Sequence, residues 1–173
     1  MRSIDKDLEE AGAPPVRVVL CPRIMPDTML SLVSGGRIEK PLPLGFLLPS
    51  YKLPEGLGVC LLDNEEMVHS KPIELAMTLF FKEAGMRLPQ ERFLLDGRWI
   101  RSAKGDTYWE YLYFVDVYEA ERNELLFDSP LRKTKFHQLT VEQLRGLAQA
   151  ERLHHFLRLN SSLIFAETLQ RAA

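Results

Sequence analysis

Apolar positions recur along this chain with two different periods, and the change from one to the other marks out its elements. From Ile73 the period is helical: Ile73, Ala76, Met77, Phe80, Phe81 and Ala84 follow at steps of three and four. Gly85 then stands where a C-terminal glycine cap belongs. Ser70, ahead of Lys71-Pro72, supplies an N-cap with proline near the first turn. Elsewhere the spacing is that of strands. Val16-Arg17-Val18-Val19-Leu20 is short and β-branched and is closed by Cys21-Pro22, which predicts a first strand. Asp27 to Ser34 reads as a short helix stopped at Gly35-Gly36. Gly45-Phe46-Leu47-Leu48 and Leu57 to Leu62 are strand candidates in a region broken by proline and glycine. Arg92 to Leu95, Arg98 to Arg101, a turn at Lys104-Gly105-Asp106 and the alternating run Tyr108 to Tyr118 follow the grammar of an antiparallel hairpin.

Towards the C-terminus the helical period returns. Thr140-Val141-Glu142-Gln143 has the spacing of a capping box and opens a helix over Leu144 to Leu159, and Ser161-Ser162 caps a last helix through Gln170. Residues 1 to 15 are charged, then rich in Ala, Gly and Pro, and read as a flexible N-terminal arm. The pattern therefore predicts one domain over residues 16 to 173, with its C-terminal helices between 140 and 170. Its class is α/β, in the α+β sense: strands, a helix, a hairpin, then helices.

Composition narrows the chemistry. With 173 residues, 46% of them hydrophobic, the chain is long enough to bury one core. Its 22 Lys and Arg against 24 Asp and Glu leave a formal charge of −2, so nothing in the net charge supports binding to nucleic acid. Cys21 and Cys60 lack the spacing of a zinc site and read as buried free thiols. The first ten residues carry acids where a signal peptide needs an apolar run, and no stretch is long and apolar enough to span a membrane. A reducing, cytoplasmic compartment is the expectation, with no membrane partner.

The residues able to carry chemistry fall into few groups. Glu65 and Glu66 lie in an acidic turn, Glu83 near the end of the central helix, and Glu110 in the hairpin. Trp99, Tyr108, Trp109, Tyr111 and Tyr113 concentrate aromatic surface in that hairpin. Alternation sends some of these rings into the core, the expected place for Trp99 and Tyr111. It leaves Tyr108 and Trp109 as candidates to stack on a nucleobase or anchor a protein. His154 and His155 are adjacent on a helix and point in different directions, while His69 and His137 stand alone. Arg132-Lys133-Thr134-Lys135 is a basic cluster in a solvated loop. No Walker loop, G-x-G-x-x-G or recognisable serine or cysteine nucleophile motif appears.

The helix Glu74 to Met86, in this order of elements, resembles the Nudix box, G-x5-E-x7-R-E-U-x-E-E-x-G-U, and the resemblance covers roughly residues 16 to 149. Anchored on Gly85 and Met86, it sets Thr78 at the arginine, Leu79 at the following glutamate, Phe80 at the apolar position, and Lys82 and Glu83 at the glutamate pair. Strict spacing puts Asn64 at the leading glycine and Ser70 at the early glutamate; an insertion would instead put Gly58 at that glycine and Glu65 or Glu66 at that glutamate.

The resemblance implies a Nudix-like mixed β-sheet sandwiched between helices. In active members those glutamates share one helix face and hold Mg²⁺ or Mn²⁺ beside a pyrophosphate. Residues three or four apart meet on a helix, and hard cations want several oxygen ligands. Here an apolar group and a cation stand at two of the ligand positions, so the usual metal cluster cannot form. Two readings follow. One is a binding or assembly module without catalytic activity or cofactor, holding a protein or nucleotide, with self-association through the C-terminal helices. The other is a divergent metal-dependent hydrolase of a nucleoside diphosphate derivative. There Glu83 is the catalytic residue and metal ligand, helped by Glu65, Glu66 or Glu110.

Overall fold

The structure, a computed structural model, describes residues 14–27, 32–34, 37–39, 43–53, 56–64, 66–103, 105–126 and 134–149. Along the chain run β1 (Val16–Met25), β2 (Leu32–Ser34), β3 (Arg37–Glu39), β4 (Gly45–Leu53), β5 (Gly56–Val59) and β6 (Leu62–Asp63). Then come α1 (Pro72–Ala84), a 3-10 turn at Gln90–Arg92, β7 (Phe93–Ala103), β8 (Asp106–Tyr118), α2 (Glu119–Leu126), β9 (Phe136–Leu139) and α3 (Val141–Gln149). The fold is α/β with a mixed sheet and, among the described residues, three α-helices. The chain divides into two compact units, one drawn from Met1–Cys21, Leu62–Val115 and Pro130–Thr134, the other from Pro22–Leu61, Asp116–Ser129 and Lys135–Ala173.

In the first unit β1 pairs antiparallel with β6, Val19 opposite Asp63 and Leu20 opposite Leu62. β7 pairs with β8 from Phe93↔Val115 to Ala103↔Asp106, with a bulge between Leu95 and Gly97. The turn between them uses Gly105 at φ +83°, a conformation that costs glycine little and other residues more. α1 packs on the hairpin through Phe80, whose ring meets Phe93 edge-on at 5.9 Å. Its buried stripe is Ala76, Leu79, Phe80 and Ala84, so Phe81, placed by the period among the apolar positions, is instead 41% exposed. Gly85 closes the helix at φ 69°, its N–H donating to the Phe81 carbonyl at 2.8 Å. At the start the N-cap is Lys71 rather than Ser70, no side chain caps the helix, and Pro72 opens the first turn.

In the second unit β4 is flanked by β5 and β9, with Ser50 opposite Val59 and Phe46 opposite Leu139. β4 also meets the end of β1 at Arg23↔Phe46 and Ile24↔Gly45. Gly45 is required there: a Cβ would come within 2.6 Å of the Leu139 carbonyl oxygen. Arg23, 1% exposed, is held by the Asp116 carboxylate at 2.6 Å, which offsets part of the cost of burying its charge. The Thr140 capping box forms in both directions, Thr140 N–H to Gln143 Oε1 at 2.8 Å and Gln143 N–H to Thr140 Oγ1 at 3.1 Å. The helix starts at Val141, three residues ahead of the position read from the apolar period.

Three local expectations are corrected. β1 does not stop at Cys21-Pro22 but runs to Met25; Pro22, lacking an N–H, falls between the segment paired with β6 and the segment paired with β4. Within the span expected as a helix, Leu32–Ser34 is a strand paired to Arg37–Glu39. The run Leu57 to Leu62 is divided between β5 and β6. The expected last helix, His154, His155, Arg132 and Lys133 lie outside the described residues.

Candidate functional site: the cleft beside the central helix

A cleft of about 470 Å³ runs beside α1 in the first unit. It is lined by Asp63 and Asn64 after β6, Glu66 and Val68 in the following loop, and Leu75, Thr78, Leu79, Lys82 and Glu83 from the helix. Thr78, Leu79, Lys82 and Glu83 reach one cavity because they lie one, four and five residues apart on a helix of 3.6 residues per turn. The face that the Nudix box assigns to ligands is thus the face that lines the cleft.

Most of its carboxylates have other work. Asp63 Oδ1 accepts from the Arg17 guanidinium at 3.1 Å, both side chains being mostly buried. The Glu83 carboxylate accepts a short hydrogen bond from the Thr134 hydroxyl, and the Glu83 carbonyl accepts from the Thr134 N–H at 3.3 Å. Asn64 is a structural tie: its Oδ1 accepts from the Val18 N–H at 2.6 Å, and its Nδ2 donates to the Glu66 carbonyl at 2.7 Å. Leu79 is only 6% exposed and belongs to the helix's buried stripe. Lys82 is exposed in the last turn, where a cation is favoured by the helix dipole.

Among the described residues the cleft is lined by three carboxylates, those of Asp63, Glu66 and Glu83, and by the Lys82 ammonium. Mg²⁺ and Mn²⁺ need several oxygens free to converge. Here one glutamate is tied to a threonine, one aspartate to an arginine, and an ammonium group shares the cleft. Among the described residues no three His, Cys, Asp or Glu side chains come together as a metal-binding group.

The structure brings Glu66 and Glu83 to one cavity and leaves Glu110 out of it. Phe93, which touches Phe80 of α1, pairs with Val115, so the odd-numbered residues of β8 face the helix and Glu110 faces away. Expected to help Glu83, Glu110 is instead 1% exposed, 3.6 Å from Arg101, with no hydrogen bond to either carboxylate oxygen. Glu65 lies outside the described residues.

The same alternation corrects the aromatic assignments. Tyr108, expected on an open face, is 6% exposed, while Trp109 and Tyr111 are half-buried. Trp99 is half-buried rather than core: its ring covers Gly97, where a Cβ would come within 2.9 Å, and the Arg101 guanidinium lies over it at 5.6 Å. Burial, with a smaller contribution from the neighbouring Tyr111, raises the Tyr113 phenol from 10.0 to about 12. The Thr134–Glu83 contact was invisible to sequence reasoning because the two residues lie 51 positions apart and threonine carries no motif.

No protein-family model matches this chain, and no curated protein matches it in sequence. Its likeness is structural, and the class it defines is the Nudix-like fold. A NUDIX hydrolase from Nitrosomonas europaea superposes with a TM-score of 0.52 at 16% identity, covering 90% of each chain. The Nudix hydrolase RenU from M. smegmatis gives 0.54 at 16% identity, over 90% of this chain and 86% of that one. A mutT/nudix family protein from Listeria innocua gives 0.52 at 11% identity, over 91% and 96%. At such identities the likeness speaks to fold alone.

Proposed function

We propose that this Nudix-fold protein is a binding or assembly module without catalytic activity, acting in the cytoplasm. The observation that carries the reading is the condition of the cleft beside α1. Glu83, the one carboxylate kept from the glutamate pair of the box, is bonded to Thr134, and Leu79 and Lys82 stand at the other two ligand positions. Hydrolysis at a pyrophosphate needs a metal-activated water, and this donor set offers a metal no cluster of free oxygens. Cys21 and Cys60 form no disulfide, which supports a reducing compartment.

The ligand is a protein or a nucleotide, bound without Mg²⁺ or Mn²⁺. Self-association is the form of assembly expected of the C-terminal helices. In α3 the Leu144 side chain is already 1% exposed and so adds nothing to such a surface.

Heating the protein with and without Mg²⁺ or Mn²⁺ tests the reading, since a metal that binds only the native state at a hundred times its Kd adds about 2.7 kcal/mol. The expected result is no shift, and no phosphate release from a panel of nucleoside diphosphate compounds. Metal-dependent turnover abolished by Glu83→Gln would overturn it in favour of a divergent hydrolase in which Glu83 acts with Glu66.

A further inference from the structure

A second cavity of the first unit, about 230 Å³, lies where α1 begins, and its lining differs in kind from that of the cleft. Trp109 and Tyr111, two apart on β8, present their rings on one face of the strand. Pro14 and Pro72 add rigid apolar wall, and His69 and Lys71 add polar groups. None of the lining side chains among the described residues is acidic, although the whole chain carries a formal charge of −2.

The walls are held by backbone bonds. The Trp109 N–H donates to the Pro15 carbonyl at 2.9 Å, and Val16 and Val68 exchange hydrogen bonds at 2.7 and 3.1 Å. The Arg98 guanidinium lies over the Trp109 ring, 5.1 Å from its centre. Nδ1 of His69, in the same wall, is a buried polar atom without a hydrogen-bond partner. Lys71 is exposed beside the opening.

From these features we infer that the cavity binds a planar aromatic ring carrying an anionic group, the ring stacked at Trp109 and Tyr111 and the anion facing Lys71. Stacking on a preformed aromatic surface requires little ordering of the protein, so the site is built before the ligand arrives. A cationic ring is disfavoured because Lys71 borders the cavity and Arg98 already covers Trp109. The inference stands apart from the reading of the cleft: neither Lys82 nor Glu83 lines this cavity.

The test uses the full chain carrying Trp99→Phe, which leaves Trp109 as the single tryptophan reporter, since the chain has two. Adenosine monophosphate and 1-naphthoate are titrated separately by calorimetry and fluorescence, with adenosine and inorganic phosphate as the uncharged ring and the ringless anion. The expected result is quenching of Trp109 by at least one aromatic anion. Trp109→Ala weakens that binding about tenfold or more, the range typical of a lost stacking surface. Binding of the monophosphate alone assigns a phosphorylated ring; binding of naphthoate alone assigns a carboxylated one. Lys71→Glu, an exposed position ahead of the first turn, keeps the test valid if Trp109→Ala does not fold. It should weaken the anionic probe several-fold and spare adenosine. Failure of both aromatic anions to bind, or binding unchanged by Lys71→Glu, would overturn the inference. Neither result bears on whether the cleft binds metal.

Discussion

Two of the cavities that border α1, the cleft along its side and the cavity at its start, use their polar groups in opposite ways. In the cleft, charges meet partners from the chain itself: Asp63 with Arg17, Glu83 with Thr134. Such bonds hold the β6 loop and the end of α1 to their neighbours and leave little for a ligand. At the start of α1 the ordering comes from the backbone, through Trp109 N–H to Pro15 and the Val16–Val68 bridge. The side chains of Trp109, Tyr111 and Lys71 are left to face the cavity. The place a fold offers for a site and the chemistry placed there are separable, and here the two cavities differ in which side chains line them.

That contrast can be broken in several ways. The largest effect is expected from Phe80→Ala, which removes a ring with no exposure from beneath α1. It should cost about 3–5 kcal/mol in a urea or thermal melt and disturb both cavities together, because they share the helix. A loss confined to one cavity would show that the two are ordered independently. Next comes Tyr113→Phe. The folded-state pKa of about 12 is raised above the unfolded value near 10.0, so the native state holds its proton more tightly. The associated stability is fully present below pH 10 and is lost as pH rises towards 12, an effect on the order of 1–2 kcal/mol. Ultraviolet titration should find one tyrosine ionising near pH 12, and the phenylalanine variant should lack it.

Thr134→Val should have a smaller effect, about 1 kcal/mol, since it removes a charge-assisted hydrogen bond at a half-buried site. Its value lies in the metal titration: a Mg²⁺ shift that appears only in this variant would mean that the cleft is a masked metal site rather than a lost one. Lys82→Glu, at an exposed position, should change the melting temperature least. Combined with Thr134→Val it restores the adjacent glutamate pair of the box, and a Mn²⁺-dependent rise in melting temperature is expected that the parent chain lacks.

Much of the local structure was legible from sequence, for identifiable reasons. The α1 helix and its glycine end are written in local spacing, and the hairpin in alternation around Gly105. The Thr140 capping box needs only four consecutive residues. Errors came where a partner overrode local preference. Pro22 sits inside a strand because the chain on either side of it is paired. Leu32–Ser34 forms a strand because Arg37–Glu39 lies opposite it. Phe81 and Leu79 exchange expected places, since a helical stripe of apolar residues does not by itself say which edge of the stripe meets the core.

The sequence by itself determined that the glutamate face of a Nudix-like helix is depleted, because residue identity at a fixed helical spacing is local information. Tertiary structure alone decided what the remaining carboxylates do. Glu83 meets a threonine 51 positions away, and Glu110 is turned to the far face of its strand, buried beside Arg101. Whether a carboxylate is a free ligand or a satisfied structural group depends on which distant donors the fold carries to it. Local spacing holds no record of that.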